Sequence, residues 1–135
     1  MKSVLIAIRP QWVEKIANGE KTIEVRKSAP KEEPFKAYIY CTIGDGVKGD
    51  YLVQSGIQCG KVIGEFVCDK VEKLEEHIEQ GGLYYILSDT FNEQAQLDNW
   101  ELHDYGKGKP LYGWHISDLK IYDKPKERRE SYTKK

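Results

Sequence analysis

The stretch Gly19 to Arg26 (GEKTIEVR) sets charges of both signs on a strand-like alternation. Ile23 and Val25 fall on one face, and Thr22, Glu24 and Arg26 fall on the other. Glu24 and Arg26 then sit two residues apart on one face, about 7 Å between Cβ atoms. A lysine and an arginine beside a groove can hold phosphate, and a glutamate can accept from an exocyclic amine or fix the arginine. A plainer reading fits the same spacing: an ion pair on a solvated strand face, worth about 0 to 1 kcal/mol, with Lys21 trailing into water.

Two further residues have a placement that asks for a partner. Glu65 lies between Gly64 and Phe66 in an otherwise apolar run, and a buried, unpaired carboxylate is costly. Lys21 or Arg26 is the expected cation. His115, in GWHIS, is either a hydrogen-bonded structural residue or an acid–base group. Trp12, Tyr38, Tyr40, Tyr112 and Trp114 can stack on bases, at about 1 to 3 kcal/mol per base, or pack into a core. His77 and His103 lie in acidic stretches read as helical and are expected at the surface. Cys41, Cys59 and Cys68 form no CxxC pair and no Cys/His cluster, so neither a metal nor a cofactor is expected. Cys41 and Cys68 fall in strand-like runs and read as small buried hydrophobes.

The elements that must position these groups follow from periodicity and punctuation. Ser3 to Arg9 is apolar on both faces, as in a buried strand. Pro10, the stripe Trp12, Val13 and Ile16, and the Asn18-Gly19 stop predict a helix over about 10–18. Lys21 to Lys27 is the second strand, ended by the Pro-containing loop 28–34. Phe35 to Ile43 and Lys61 to Lys70 are further strands around a long, glycine-rich loop, where mobility is an expectation. Val71, Leu74 and Ile78 suggest a brief helix, and 83–87 reads as strand or helix. Asp98 and Glu101 form a capping-box pattern, with a helix stop at Gly106. Leu111 to Tyr122 is the last strand region, with a break near Asp118, and Lys124 onward is frayed.

With 135 residues, 39% apolar and 32% charged, the chain suits one folded domain over 1–123 and a basic tail over 124–135. The tail holds six basic and two acidic residues, and residues 1–123 carry a net −5. Asp69 to Asp104 holds ten acidic residues against Lys70 and Lys73, so a phosphate backbone is expected to dock elsewhere. No run nears the roughly 20 apolar residues of a membrane span, and the apolar N-terminal run is too short for a signal peptide. The expected setting is cytoplasmic, with no membrane partner.

Residues 3–26 (SVLIAIRPQWVEKIANGEKTIEVR) resemble the opening strand, helix and second strand of ASCH domains. The ASCH signature Gly-x-Lys-x-x-Glu-x-Arg is met at Gly19, Lys21, Glu24 and Arg26. Residues 61–69 and 108–127 resemble small phage and bacterial members of that family. The resemblance implies an α+β, PUA-like small mixed β-barrel of five to six strands. One short helix follows strand 1, and a further short helix precedes the last strand. It also implies a groove for RNA or a nucleotide-like small molecule. In that groove Lys21, Glu24 and Arg26, with Tyr40, Trp114 and His115, are the expected ligand-binding residues.

An enzymatic branch of the family hydrolyses N4-acetylcytidine with the motif lysine, a threonine nucleophile and a downstream glutamate. Other ASCH proteins are described as ribonucleases. Here the threonine position holds Glu24, which cannot act as a hydroxyl nucleophile, and Thr22 is at the wrong spacing. If the chain is a hydrolase, Lys21 and Glu24 are the expected catalytic pair, with Glu65 or His115 in support. Three expectations stand at this point: RNA or nucleotide binding through a cationic groove, a small hydrolase of the same family, and a protein-interaction module using the acidic stretch 69–104.

Overall fold

The computed structural model of the chain describes residues 1–43, 59–79 and 82–127. The glycine-rich loop and the last eight residues of the basic tail lie outside the described residues.

Five strands make one curled sheet, a half-barrel, in the order β1 (Lys2–Ile8), β3 (Phe35–Cys41), β4 (Lys61–Lys73), β7 (Tyr112–Lys126) and β2 (Ile23–Arg26). β1 runs parallel to β3, and the other pairings are antiparallel. β1 and β2 are therefore the two end strands, and the sheet curls to bring them toward each other.

The helix α1 (Pro10–Ala17) joins β1 to β2. Pro10 at its first position has no N–H to leave unsatisfied. Gly19, at φ 87°, takes the left-handed conformation that ends the helix. Val13 and Ile16 pack with Ile6, Ile8, Phe35, Ile39 and Phe66 into the main core. Each large apolar side chain so buried contributes about 1.5 to 3 kcal/mol. A second core lies at the β2 end, where Ile23, Val25 and Leu74 meet Phe91, Leu102 and Leu111.

Three segments differ from the sequence reading. Residues 71–79, expected to hold a helix, are extended: β4 continues to Lys73, and β5 (Glu75–Glu79) forms a hairpin with β6 (Gly82–Ile86). Val71 pairs with Trp114, and the Leu74 N–H donates to the Leu111 carbonyl, so sheet partners override a helical spacing. His77 accordingly lies on a strand. An additional helix, α2 (Asp89–Ala95), precedes α3 (Asn99–Gly106); the Ser88 hydroxyl caps it by accepting from the Phe91 N–H. β7 runs through Lys126, past the expected end, and Asp118 adopts φ 48° where its ladder with β4 is irregular. Aspartate tolerates that left-handed conformation better than most residues.

Cys41 and Cys59, distant in sequence, lie with Sγ atoms 3.2 Å apart, both buried. Burial lifts the Cys41 thiol far above its ordinary pKa and Cys68 to about 11. Among the described residues no cluster of His, Cys, Asp and Glu could hold a metal ion, and no helix is long and apolar enough to cross a membrane.

Candidate functional site

The gap between the two end strands is a cavity of about 550 Å³. Ala7 and Ile8 of β1 line one side and Val25 and Arg26 of β2 the other. Gln11 and Trp12 of α1 form its roof, and Glu101, Asp104 and Tyr105 of α3 close it. Helix geometry places those three α3 residues together, because positions three and four apart share a face. The Asp98–Glu101 capping box, present in full, fixes the start of that helix.

Lys21, Glu24 and Arg26 all line the cavity. Lys21 is not part of the strand, because the backbone turns before β2 starts. Its N–H donates to the Lys15 carbonyl, and the Thr22 N–H donates to Gln94. The side chain is thereby directed inward, only 2% exposed, and the ammonium donates to the Ala95 carbonyl at the end of α2. It also lies 3.8 Å from Glu24 Oε1 and 5.3 Å from the Trp12 ring centroid. Burial draws the Lys21 pKa below the ordinary lysine value; Glu24 opposes that shift and Lys15 adds to it.

Glu24, 6% exposed, is held between two cations. Its Oε2 accepts from Arg26 Nη1 at 3.1 Å, and the same nitrogen donates to the Ala7 carbonyl at 3.2 Å. Glu24 and Arg26 form an ion pair lining a cavity and not a flat solvated face. The groove is not cationic: Arg9, Lys21 and Arg26 are balanced by Glu24, Glu101 and Asp104. The acidic stretch expected to stay away from the ligand supplies the last two, because α3 folds back over β2.

A family model for the ASCH domain matches residues 6–117. The chain belongs to the ASCH domain family. The fold agrees with that of ASCH from Zymomonas mobilis at 18% identity and a TM-score of 0.64, over 96% of this chain and 76% of that one. Two single-residue mutants of the Zymomonas protein, one tyrosine to phenylalanine and one serine to alanine, match at 17% and 19% identity, with TM-scores of 0.63 and 0.62. They cover 96% and 93% of this chain and 78% and 74% of theirs. No curated protein matches it.

In this ASCH domain the remaining expected site residues lie outside the cavity. Trp114 is a core residue, edge-on to Phe35 with centroids 4.9 Å apart, and its Nε1 donates to the Ser28 carbonyl at 3.2 Å. His115 Nε2 lies 2.6 Å from Glu72 Oε1. Tyr40 sits on β3 between Ala7 of β1 and Val62 of β4, next to an end strand, but does not line the cavity. Glu65 pairs with neither Lys21 nor Arg26, because β7 separates its strand from β2. Its partners are Lys36, at 3.0 Å, and the Tyr122 hydroxyl, at 2.8 Å. Of the aromatic candidates, Trp12 alone lines the cavity.

Arg9, Gln11, Glu101, Asp104 and Tyr105 were not singled out from the sequence. For the last three a signal existed: the capping box located their helix, and their 3,4 spacing shared a face.

Proposed function

We propose that this ASCH domain binds RNA or a nucleotide-like ligand by taking a single base into the cavity between β1, β2 and α3. The observation that supports this reading is the charge balance of the cavity around a buried, doubly paired glutamate. A net-neutral site with fixed donors and acceptors suits an uncharged, hydrogen-bonding ring better than a phosphate. Arg26 supplies donors, Glu101 and Asp104 supply acceptors, and Trp12 and Tyr105 supply flat apolar surface for stacking. Lys21 acts here as a positioning residue, since its ammonium is already taken up by Ala95 and Glu24. The family's general association with RNA agrees with this ligand class. Calorimetric titration with nucleosides and short single-stranded RNA tests it. Saturable binding weakened by Trp12→Ala and Arg26→Ala is expected; no binding, or binding indifferent to both substitutions, removes the reading.

One observation favours a hydrolase as the second reading. A buried lysine with a lowered pKa beside a carboxylate in a cavity is a common mark of catalytic sites. Thr22 is exposed and does not line the cavity, so water would have to be the nucleophile. Turnover of N4-acylated cytidine or labelled RNA, abolished by Glu24→Gln, would establish it; product formation indifferent to that substitution excludes Glu24 as the base. The acidic stretch 69–104 does not favour a protein-docking face, since its residues are spread over β4, β5, α2 and α3 and two of them line the cavity.

A further inference from the structure

The cavity has a neighbour of opposite character. A hollow of about 460 Å³ lies beside the end of β2, lined by Lys27, Lys31 and Lys73 together with Ser28, Glu33 and Tyr112. Its one carboxylate is engaged: Glu33 Oε1 accepts from the Val71 N–H at 3.3 Å. Lys31 and Lys73 are exposed and form no ion pair among the described residues. The hollow is therefore net positive, where the cavity is balanced.

The two adjoin through two contacts. Lys27, which lines the hollow, lies 4.8 Å from the ring centroid of Tyr105, which lines the cavity. Arg26, in the cavity, is directly opposite Tyr112, in the hollow, on the β2–β7 ladder. A ligand with an uncharged ring and an anionic group attached to it could therefore meet both sites at once.

We infer that the Lys27, Lys31 and Lys73 hollow is the phosphate site for the ligand whose base enters the cavity, so that the domain's preferred ligand is a nucleotide unit and not a nucleoside. This rests on the base-binding reading above and adds to it where the anion goes. Lysines act on phosphate as mobile point charges, and their attraction is screened by salt. The Tyr112 and Ser28 hydroxyls add neutral donors.

The test is calorimetry on the full chain with the four common ribonucleosides, their 3′- and 5′-monophosphates, and inorganic phosphate, at low and moderate salt. Amide chemical shifts of Val71 and Tyr112 serve as a local readout. At least one monophosphate is expected to bind about tenfold tighter than its nucleoside at low salt. That gap should close in K31E/K73E and narrow as salt rises. If nucleosides bind but monophosphates bind no tighter, or the gap survives K31E/K73E, the hollow is not a phosphate site and the cavity reading stands. If phosphate and monophosphates bind through Lys31 and Lys73 while nucleosides do not, the hollow stands as an anion site and the cavity reading falls. No binding by any probe overturns both.

Discussion

Arg26 spans the open side of the sheet, its Nη1 lying 3.2 Å from the Ala7 carbonyl on the opposite end strand while it also bridges to Glu24 at 3.1 Å. No ladder joins β1 to β2, so this side chain does at one point what backbone pairing does elsewhere. Arg26 is 27% exposed and the hydrogen bonds are partly wet. Arg26→Ala should therefore cost only about 1 kcal/mol of stability. Base binding should fall more than tenfold, since the cavity loses its main donor and Glu24 loses a partner. Urea denaturation and calorimetry on the same variant separate the two; a stability loss that matches the affinity loss would make Arg26 purely structural.

Lys21 should behave in the reverse way. Lys21→Met keeps the stem but leaves the Ala95 carbonyl unpaired and Glu24 with one cation fewer. Roughly 1 to 3 kcal/mol of stability should be lost, with an unchanged denaturant slope. A pH signature accompanies it. Because burial lowers the Lys21 pKa, the unfolded chain holds that proton more tightly than the native one. This contribution to stability therefore rises with pH, from the lowered native pKa up to the ordinary 10.5. The wild type should gain on Lys21→Met across that window; parallel curves would contradict the assignment.

The balance of charge in the cavity can be tipped. E101Q/D104N removes both α3 acids and leaves a net positive cavity. Nucleosides should then bind more weakly, since the base loses its charged acceptors, while RNA binding should depend more steeply on salt. Both residues are exposed, so folding should be little affected. Nucleoside binding that the double substitution leaves unchanged would show that the carboxylates do not contact the base.

Glu65 gives a test remote from the cavity. Burial alone would raise its pKa, but the Tyr122 hydroxyl and the Lys36 ammonium outweigh that and hold it below the usual carboxylate value. The charged form thus stabilises the native state above the unfolded pKa of about 4.5, and this contribution disappears as pH falls through the lower native value. Glu65→Gln should cost about 1 kcal/mol at pH 7 and progressively less in acid. Thermal melts at both ends of that range check it; ligand affinity should not move.

The sequence carried the fold well where the pattern was local. Alternation gave β1 and the apolar stripe with Gly19 gave α1, and Asp98 with Glu101 gave α3 to within a residue. It misled at 71–79, where Val71 and Leu74 fit a helical stripe but pair across strands. α2 escaped notice although Ser88-Asp89 is a fair start signal. For the site, Lys21, Glu24 and Arg26 were legible as a group because eight consecutive residues hold them. Tyr40, Trp114 and His115 looked equally suitable by type, yet only the register of β3 and β7 decides where they lie. The charge of the cavity was illegible for a related reason: two of its three acids, Glu101 and Asp104, arrive from a helix some 80 residues downstream.

β1 and β3 lie side by side in the same direction, and parallel neighbours can be joined only by a crossover of a dozen or more residues. In this chain that crossover is the α1–β2 stretch itself, with Lys21, Glu24 and Arg26 inside it. The reactive-looking residues thus belong to the tether that makes the first pairing of the sheet attainable. Shortening it to strip out the chemistry would also unstitch the scaffold. A functional blank of this domain is best made one side chain at a time.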